Sequence, residues 1–344
     1  MPPQKILVFH TAFIGDIILT LPLVQRLRAS LPGTQITFVA IPSAANVLEN
    51  HPAINRIVVY DKRGTEAGLS GILKLAAELR AEKFDIALIP HRSLRSALVA
   101  WLARIPKRVG FSASAAPRLF TDVVQYDKNS HEIDRNLSLL RPLRIAYSGD
   151  QLPSVYPSDD DKRVVDKLLN RSGQFIGFAP GSVWNTKRWP KEHFISLGKK
   201  LASDGASLVM VGSRQDAALC EEIGFAIGSG GIVNAAGKLS LLQSAELIRR
   251  CSLLISNDSA PMHLAVAVRT PVVALFGATV PRFGFAPRGQ HDVVAEVNGL
   301  ACRPCSIHGG DKCPIKTFVC MKDLKPEIVY AKVQTVLGTL QSEE

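Results

Sequence analysis

An acid, a hydroxyl and a small residue follow one another at Asp258, Ser259 and Ala260, between the apolar runs 252–256 and 271–277. A helix that begins at such a strand end presents free backbone N–H groups and a positive dipole end beside these side chains. Asp258 is costly to bury without a polar partner, and a sugar hydroxyl is a suitable one. This combination predicts a binding site for a pyrophosphate joined to a sugar.

Other strand ends in the second half of the chain carry further candidate ligands. Lys187 follows a strand closely enough for its ammonium to neutralise a leaving diphosphate, and Ser182 or Thr186 could donate hydrogen bonds there. The alternative is a surface loop with incidental charge. Asp216 follows a glycine turn, where it could accept hydrogen bonds from a ribose diol. Leu239 could cover a flat base or belong to the core.

Two residues have a structural interpretation as plausible as the functional one. Asp16 lies at the head of a helix, where it could act as a general base toward an acceptor hydroxyl or cap the helix. His263, one turn after Ser259, could bind a phosphate or be a satisfied buried histidine. The turn before Asp16 holds one glycine, Gly15, rather than the three of a dinucleotide fingerprint, which argues against a nicotinamide enzyme.

The chain carries a net charge of +11, which favours an anionic partner such as nucleic acid, a phosphorylated substrate or a membrane surface. Residues 88–121 contain six basic side chains and no acid, and Arg92, Arg95 and Arg118 are among them. This stretch is either an anion-binding face or a solvated surface. Aromatic residues are only 6% of the chain and few lie in this stretch, which argues against a nucleic-acid partner.

Four cysteines are clustered near the end of the chain with the spacing C-x2-C-x7-C-x6-C, at Cys302, Cys305, Cys313 and Cys320. The spacing matches no standard zinc pattern well. Reduced packing or turn-stabilising thiols are therefore expected, with a structural metal site as the alternative.

Apolar runs of strand length alternate with helical periodicity along the whole chain, which predicts an α/β fold with parallel sheets covered on both faces. The predicted strands are 5–11, 36–40, 57–60, 85–90, 107–111, 174–179, 207–212, 231–235, 252–256, 271–276 and 292–296. The predicted helices are 16–30, 68–82, 93–104, 191–203, 214–227, 240–250, 260–268 and 326–340.

Turn-forming residues concentrate at 146–160, which predicts a crossover between two domains, 1–158 and 159–344. Two doubly wound halves would leave a cleft between their strand C-termini, where open α/β sheets bind ligands. The last helix could pack back on the first domain. No secretion signal is expected, and no window approaches the roughly 18 apolar residues that a membrane span needs.

Several motifs, taken in order, resemble the ADP-heptose:lipopolysaccharide heptosyltransferases of Gram-negative bacteria, glycosyltransferase family 9. They are Gly15-Asp16, Pro180-Gly181-Ser182, Lys187-Arg188-Trp189-Pro190, Val211-Gly212-Ser213, 257–263 and 275–279. The cysteine segment 302–320 looks more like the heptosyltransferase II branch than the heptosyltransferase I branch. The resemblance spans nearly the whole chain. One departure is Ala260, where the family commonly has glycine, although a backbone N–H contact survives this change.

The resemblance implies a GT-B architecture, in which two Rossmann-like domains face a central cleft. It implies that the C-terminal domain binds an ADP-heptose donor and the N-terminal domain binds the acceptor. The expected reaction is inverting transfer of L-glycero-D-manno-heptose to a hydroxyl of the lipopolysaccharide inner core, with addition of the first heptose as the expected step. The alternatives are a GT-B transferase for another nucleotide sugar and a basic nucleic-acid-binding protein.

Family analogy also assigns roles to individual residues. Asp16 matches the catalytic base, Lys187 the lysine that binds the diphosphate, and Asp258 the acid that holds heptose hydroxyls. Ser259 and Ala260 match backbone amides at the phosphates. The remaining expected donor contacts are Ser182, Thr186, Asp216 beside the ribose, Leu239 beside adenine, and His263.

On the acceptor side, Arg92, Arg95 and Arg118 are expected to contact phosphate or acidic sugar groups of a core that ends in Kdo or heptose on lipid A. No cofactor is required by this scheme, although a divalent cation could stimulate it. A cytoplasmic enzyme at the inner face of the cytoplasmic membrane is expected, without a nucleic-acid partner. The oligomeric state does not follow from the sequence.

Overall fold

The computed structural model describes residues 3–170, 173–228 and 231–343, and the chain divides into two compact units, Met1–Tyr156 and Pro157–Glu344. Each unit contains a six-stranded sheet in which all strand pairs are parallel. Helices or 3-10 turns connect successive strands in both units. The predicted fold class, an α/β protein with two Rossmann-like doubly wound sheets, is confirmed.

The first unit is built from alternating strands and helices. Its strands are β1 (Lys5–Phe9), β2 (Gln35–Ala40), β3 (Arg56–Val59), β4 (Ile86–Ile89), β5 (Lys107–Phe111) and β6 (Asp122–Val124). Its helices are α1 (Ile14–Ile18), α2 (Leu21–Ser30), α3 (Pro42–Ala45), α4 (Gly68–Ala81), α5 (Leu94–Leu102) and α6 (Glu132–Ser138). The strand order is β3-β2-β1-β4-β5-β6.

The second unit repeats this plan. Its strands are β7 (Phe175–Ala179), β8 (Ser207–Met210), β9 (Ile232–Asn234), β10 (Cys251–Asn257), β11 (Val272–Phe276) and β12 (Val293–Glu296). Its helices are α7 (Asp159–Leu169), α8 (Lys191–Ser203), α9 (Ala217–Ile227), α10 (Leu241–Arg249), α11 (Ala260–Ala267), α12 (Val319–Lys322) and α13 (Pro326–Glu343). The strand order is β12-β11-β10-β7-β8-β9, so the first and fourth strands of each unit are neighbours.

The inner strands of both sheets are almost entirely buried, as their apolar sequences predict. All residues of β4, β7 and β11 are buried. Helix α13 contributes Val329, Val333 and Val336 to the core of the second unit and packs against α8 and β12. Because the strand order reverses between the first and fourth strands, their carboxyl ends form the crevice where doubly wound sheets bind ligands.

The helix predicted over 16–30 is wrong in one respect, because two helices, α1 and α2, occupy this stretch. Pro22 lies at the second position of α2. Its ring has no N–H and would clash with the carbonyl of residue 18 in a continuous helix, so the chain must interrupt the helix before it. The sequence pattern also failed to predict β6, which has three residues, and the seven-residue α6, which is rich in polar side chains. Helices α3, α7 and α12 were not predicted either.

No helix within residues 3–170, 173–228 and 231–343 is both long enough and apolar enough to cross a membrane.

Candidate functional site

In the second unit, the neighbouring strands β7 and β10 end side by side and their ends are joined by one buried amide. Asn257, the last residue of β10, donates from Nδ2 to the carbonyl of Pro180 over 2.8 Å. Its Oδ1 accepts the backbone N–H of Trp189 over 3.1 Å. Because Pro180 and Trp189 bracket the loop after β7, Asn257 fixes both ends of that loop to β10.

This loop carries Lys187 to the side chain of Asp258. Lys187 Nζ lies 2.7 Å from Asp258 Oδ2, and the two side chains are only 13% and 7% exposed. Thr279, after β11, donates from Oγ1 to the same carboxylate oxygen over 2.6 Å. A buried carboxylate is stable only when it is paired and hydrogen-bonded, and both conditions are met here. Residues that follow three adjacent strands therefore form one polar site.

His263 lies one helical turn into α11 and is buried beside this ion pair. Burial lowers the pKa of His263 to about 4, while the Asp258 carboxylate raises it and the Lys187 ammonium lowers it further. The imidazole is therefore neutral at pH 7. A neutral ring retains one N–H donor and one acceptor, so burial is compatible with both interpretations of this histidine.

Ser259 and Ala260 form the start of α11. Ser259 is the N-cap residue in an extended conformation, and its hydroxyl donates to the carbonyl of Asn257 over 3.2 Å. Pro261 occupies the first turn, where its missing N–H costs nothing. The N–H of Ala260 belongs to the same turn, whose N–H groups point away from the helix body. This is the geometry of an anion site that is made by backbone.

Ser182 and Thr186 are buried, and the structure gives protein partners to the backbone carbonyl of Ser182 and to the hydroxyl of Thr186. The carbonyl of Ser182 accepts Arg188 Nε over 2.9 Å. Thr186 Oγ1 accepts the backbone N–H of Gly310 over 2.8 Å. The Thr186 hydroxyl therefore holds a distant loop in place, a function that the sequence pattern did not indicate.

Asp216 lies in a 3-10 turn after β8, and its Oδ2 accepts the N–H of Ser213 over 2.9 Å and its hydroxyl over 2.6 Å. Its Oδ1 lies against Gly181, where a Cβ would come within 2.2 Å of it. A side chain at position 181 would require the Asp216 carboxylate to move, so Asp216 reaches the loop that carries Lys187. Leu239 is half-buried immediately before α10.

In the first unit, the ends of β1 and β4 bring two histidines together. The rings of His10 and His91 are 5.7 Å apart, and His10 Nδ1 lies 2.7 Å from Thr20 Oγ1. Burial lowers the pKa of His91 to about 4, and repulsion from Lys62 and Arg92 lowers it further. Burial and the same neighbouring charges lower the pKa of His10. Both rings are neutral at pH 7 and lie beside cationic side chains.

Asp16 lies in the first turn of α1, next to these strand ends, and is half-buried. Its Oδ2 accepts the backbone N–H of Phe13 over 3.2 Å, which is the capping arrangement that the sequence offered as an alternative. A carboxylate has a second oxygen, so this hydrogen bond is compatible with proton transfer at Oδ1.

A cavity of about 330 Å³ opens beside the first turn of α1. Lys62 and Arg63 contribute positive charge to its wall, and Phe13 is part of the same wall. Burial lowers the pKa of Lys62, and repulsion from Arg63 and Arg95 lowers it further. A bound anion would reduce the repulsion between these like charges. The cavity is lined by Thr11, Ala12, Phe13, Ile41, Pro42, Ser43, Asp61, Lys62, Arg63 and His91.

The three arginines expected at the acceptor differ in their surroundings. Arg95 donates over 2.8 Å to the backbone carbonyl of Lys62, a residue that lines the cavity. The Arg92 guanidinium lies over the ring of Tyr126, 4.6 Å from its centroid. Arg118 is exposed on a 3-10 turn after β5. Arg95 and Lys62 are thus in direct contact. Lys62 and Arg63 were not identified from the sequence as candidate site residues, although they follow the predicted strand 57–60.

The cysteine cluster consists of free thiols, with Cys302, Cys305 and Cys313 half-buried and Cys320 buried. Burial raises the pKa of Cys305 and of Cys320. Burial also acts to raise the pKa of Cys313, but several backbone N–H groups outweigh it and lower that pKa. Across residues 3–170, 173–228 and 231–343, no group of three or more His, Cys, Asp or Glu side chains is arranged to hold a metal ion.

Known proteins resemble this chain over most of its length. The sequence model of "Glycosyltransferase family 9 (heptosyltransferase)" matches residues 72–309. Lipopolysaccharide heptosyltransferase 2 of Escherichia coli K12 is 30% identical, with 81% of this chain and 84% of that protein covered. Lipooligosaccharide heptosyltransferase 2 of Haemophilus influenzae is 27% identical over 97% of this chain and 100% of that protein.

Two solved structures are similar in both fold and sequence. The family 9 glycosyltransferase of Veillonella parvula superposes with a TM-score of 0.88 and 26% identity, covering 97% of each chain. The ADP-heptose lipopolysaccharide heptosyltransferase II of E. coli gives a TM-score of 0.81 and 28% identity, covering 99% of this chain and 100% of that one. With the matching family model, these similarities establish that the chain is a glycosyltransferase and belongs to glycosyltransferase family 9, the heptosyltransferases.

Proposed function

We propose that this enzyme transfers heptose from ADP-heptose to a hydroxyl of the lipopolysaccharide core. The observation that carries the proposal is the Lys187–Asp258 ion pair at the ends of β7 and β10, beside the first turn of α11. This arrangement combines a cation for a diphosphate with a carboxylate for sugar hydroxyls. The names of the relatives support heptose as the sugar and ADP as the leaving group.

We assign the donor contacts on the basis of this geometry. The Lys187 ammonium has three N–H groups, so its bond to Asp258 is compatible with further bonds to a diphosphate. The N–H groups of Ser259 and Ala260 add the positive end of α11. Asp258 would accept hydrogen bonds from heptose hydroxyls, and the neutral imidazole of His263 would contact a phosphate. Adenosine would lie near Asp216 and Leu239, with the ribose diol donating to the carboxylate.

The acceptor contacts are assigned to the first unit. Asp16 would serve as the general base, and the cationic cavity lined by Lys62 and Arg63 would bind phosphate or acidic sugar groups. Arg95 joins this cavity through its bond to Lys62, and Arg92 and Arg118 would extend the cationic surface. We propose that the enzyme acts in the cytoplasm. It would be peripheral to the inner face of the cytoplasmic membrane, because its acceptor is anchored in that membrane.

The reaction is a single displacement with inversion at the anomeric carbon. The acceptor hydroxyl gives its proton to Asp16 while its oxygen forms a bond to the anomeric carbon. The bond between that carbon and the diphosphate oxygen breaks, and ADP leaves with its added negative charge stabilised by Lys187 and the start of α11. No metal takes part in these steps, although a divalent cation could stimulate them by screening the diphosphate.

The proposed acceptor already carries one heptose, because relatives named heptosyltransferase 2 are similar to nearly the whole chain. Addition of the first heptose, the step expected from the sequence, is the competing outcome. ADP release from ADP-heptose would be measured with one core that ends at Kdo and another that ends at the first heptose. Turnover only on the heptose-terminated core supports the proposal, whereas turnover only on the Kdo-terminated core assigns the first addition.

The same assay tests the base. Asp16→Asn retains an oxygen that can accept the Phe13 N–H, so the fold should be preserved. Loss of general-base catalysis should lower kcat by roughly 100-fold or more, with an unchanged KM for ADP-heptose. An unchanged kcat would leave Asp16 with the capping function alone. Thermal protection by ADP-heptose and not by UDP-sugars is the expected control, and the opposite preference would indicate another donor.

A further inference from the structure

The segment 302–311, called here the anchor loop, is fixed at its beginning to the segment that follows β11. The N–H of Cys305 donates to the carbonyl of Ala278 over 2.9 Å. Arg303 donates to the carbonyl of Thr279 over 2.8 Å and pairs with Glu296 at 2.7 Å. Thr279 is also the residue whose hydroxyl holds Asp258. The anchor loop therefore starts from the backbone that supports the carboxylate of the ion pair.

The end of the anchor loop is attached to the two residues immediately before Lys187. The N–H of Thr186 donates to the carbonyl of Gly310 over 3.0 Å, and the N–H of Gly310 donates to Thr186 Oγ1 over 2.8 Å. Asn185 adds a bond from Nδ2 to the carbonyl of Asp311 over 3.2 Å. The reciprocal Thr186–Gly310 pair fixes both the position and the orientation of the backbone that carries Lys187.

The anchor loop also contacts the side chain of Lys187 directly. Gly309 has a φ of +87°, and a Cβ at this residue would lie 3.1 Å from Lys187 Cγ and 3.3 Å from Lys187 Cε. Ser306 closes the turn, since its hydroxyl both donates to the carbonyl of Gly309 and accepts the N–H of Gly309, each over 2.8 Å. The aliphatic part of Lys187 thus lies against backbone that has no side chain, which restricts its rotamers.

We propose that the anchor loop positions the Lys187 ammonium for the donor diphosphate, with Thr186, Gly309 and Gly310 as the positioning residues. The inference rests on the proposed function of Lys187 at the diphosphate. The inference adds a requirement to that proposed function. The long flexible side chain of Lys187 must be preorganised if its charge is to stabilise the leaving group. The loop joins the supports of both members of the ion pair, Thr279 for Asp258 and Thr186 for Lys187.

The test compares Thr186→Val, which cannot accept the Gly310 N–H, with Thr186→Ser, which can. We expect Thr186→Val to raise the KM for ADP-heptose and lower kcat/KM by about 3- to 10-fold, the effect of one lost hydrogen bond, and Thr186→Ser to restore most of it. The matched control is Thr335→Val, which removes an exposed hydroxyl within α13 and should leave the kinetics unchanged.

A double-variant analysis separates positioning from general support of the fold. If Thr186 acts through Lys187, Thr186→Val should have no further effect on the KM for ADP-heptose in a Lys187→Ala background. Additive effects of the two changes would overturn the inference, as would normal kinetics in Thr186→Val. If Lys187→Ala itself leaves the KM and kcat unchanged, the proposed donor site fails instead.

Gly309→Ala provides an independent variant in case Thr186→Val is poorly folded. The added Cβ would lie 3.1 Å from both Lys187 Cγ and Trp184 Cβ. We expect it to displace the flexible Lys187 stem and raise the KM for ADP-heptose, and the KM should not rise further when Lys187 is already alanine. Urea unfolding of each variant gives the folded fraction for correcting the kinetics. A folded Gly309→Ala protein with the wild-type KM would contradict the contact that the structure shows.

Discussion

At the scale of single residues, the Lys187–Asp258 pair belongs to the proposed donor site and also affects the stability of the fold. Both groups are nearly removed from solvent, so each charge stabilises the other in the folded protein. Thr279 alone cannot replace the ammonium, because a hydroxyl contributes a dipole and no net charge. A substitution of either side chain should therefore change the free energy of unfolding even in the absence of substrate.

Lys187→Met leaves the Asp258 carboxylate buried without its cation, and we expect the free energy of unfolding at pH 7 to fall by about 3 kcal/mol. Adding Asp258→Asn to this variant removes the unpaired charge and should restore part of the loss. Urea unfolding of the two single variants and the double variant measures the coupling. Equal losses from Lys187→Met in the presence and absence of Asp258 would show that the pair contributes no net stability.

At the scale of elements, the site depends on the alignment of strand ends rather than on any one loop. Asn257 joins the end of β10 to both ends of the loop after β7. A side-chain amide suits this function because it offers a donor and an acceptor in one plane. The anchor loop likewise joins two segments, since it connects the residues that follow β11 to the residues before Lys187.

Asn257→Ala removes both of these bonds and leaves a buried N–H and a buried carbonyl without their partner. We expect the free energy of unfolding to fall by about 2 to 3 kcal/mol. Asn298→Ala is the matched control, since Asn298 is exposed and should change stability little. A stability of Asn257→Ala within about 0.5 kcal/mol of the control would mean that these bonds are readily replaced by water.

The sequence was informative about elements because their patterns are local. The alternation of apolar runs predicted eleven of the twelve strands that the described residues contain, and β6 was omitted because three residues carry too little pattern. The strand-end rule also indicated Lys187 and Asp258 individually. Their direct pairing, and the attachment of Thr186 to Gly310, join residues far apart in the chain, and local periodicity holds no information about such contacts.

At the scale of the whole molecule, several histidines are buried as neutral rings, and stability should therefore depend on pH. His51 illustrates the effect, because its Nδ1 accepts the N–H of Ala53 over 3.1 Å. Burial lowers the pKa of His51 from 6.5 to about 4. The folded state thus favours the neutral ring, so this contribution is complete above pH 6.5 and is lost as the pH falls from 6.5 toward 4.

His51→Asn keeps an oxygen for the Ala53 N–H and removes the titrating ring. The stability of the wild-type protein should decrease more than that of His51→Asn between pH 7 and pH 4, by a difference on the order of 3 kcal/mol. Urea unfolding at several pH values measures this difference, with Asn298→Ala, a change at an exposed position, as the control. Parallel pH profiles of wild type and His51→Asn would show that the ring does not remain neutral in the folded protein.

The shared strand order of the two units has a consequence for the order in which the chain can mature during synthesis. The strand that enters each unit first becomes a central strand, and its neighbour on one side is the fourth strand to be made. In the second unit, Lys187 therefore leaves the ribosome well before β10 brings Asp258 beside it. Until β10 is made, β7 lacks its β10 neighbour and Lys187 lacks Asp258 as its partner. The part of this unit that is synthesised last therefore determines when a ligand can first bind.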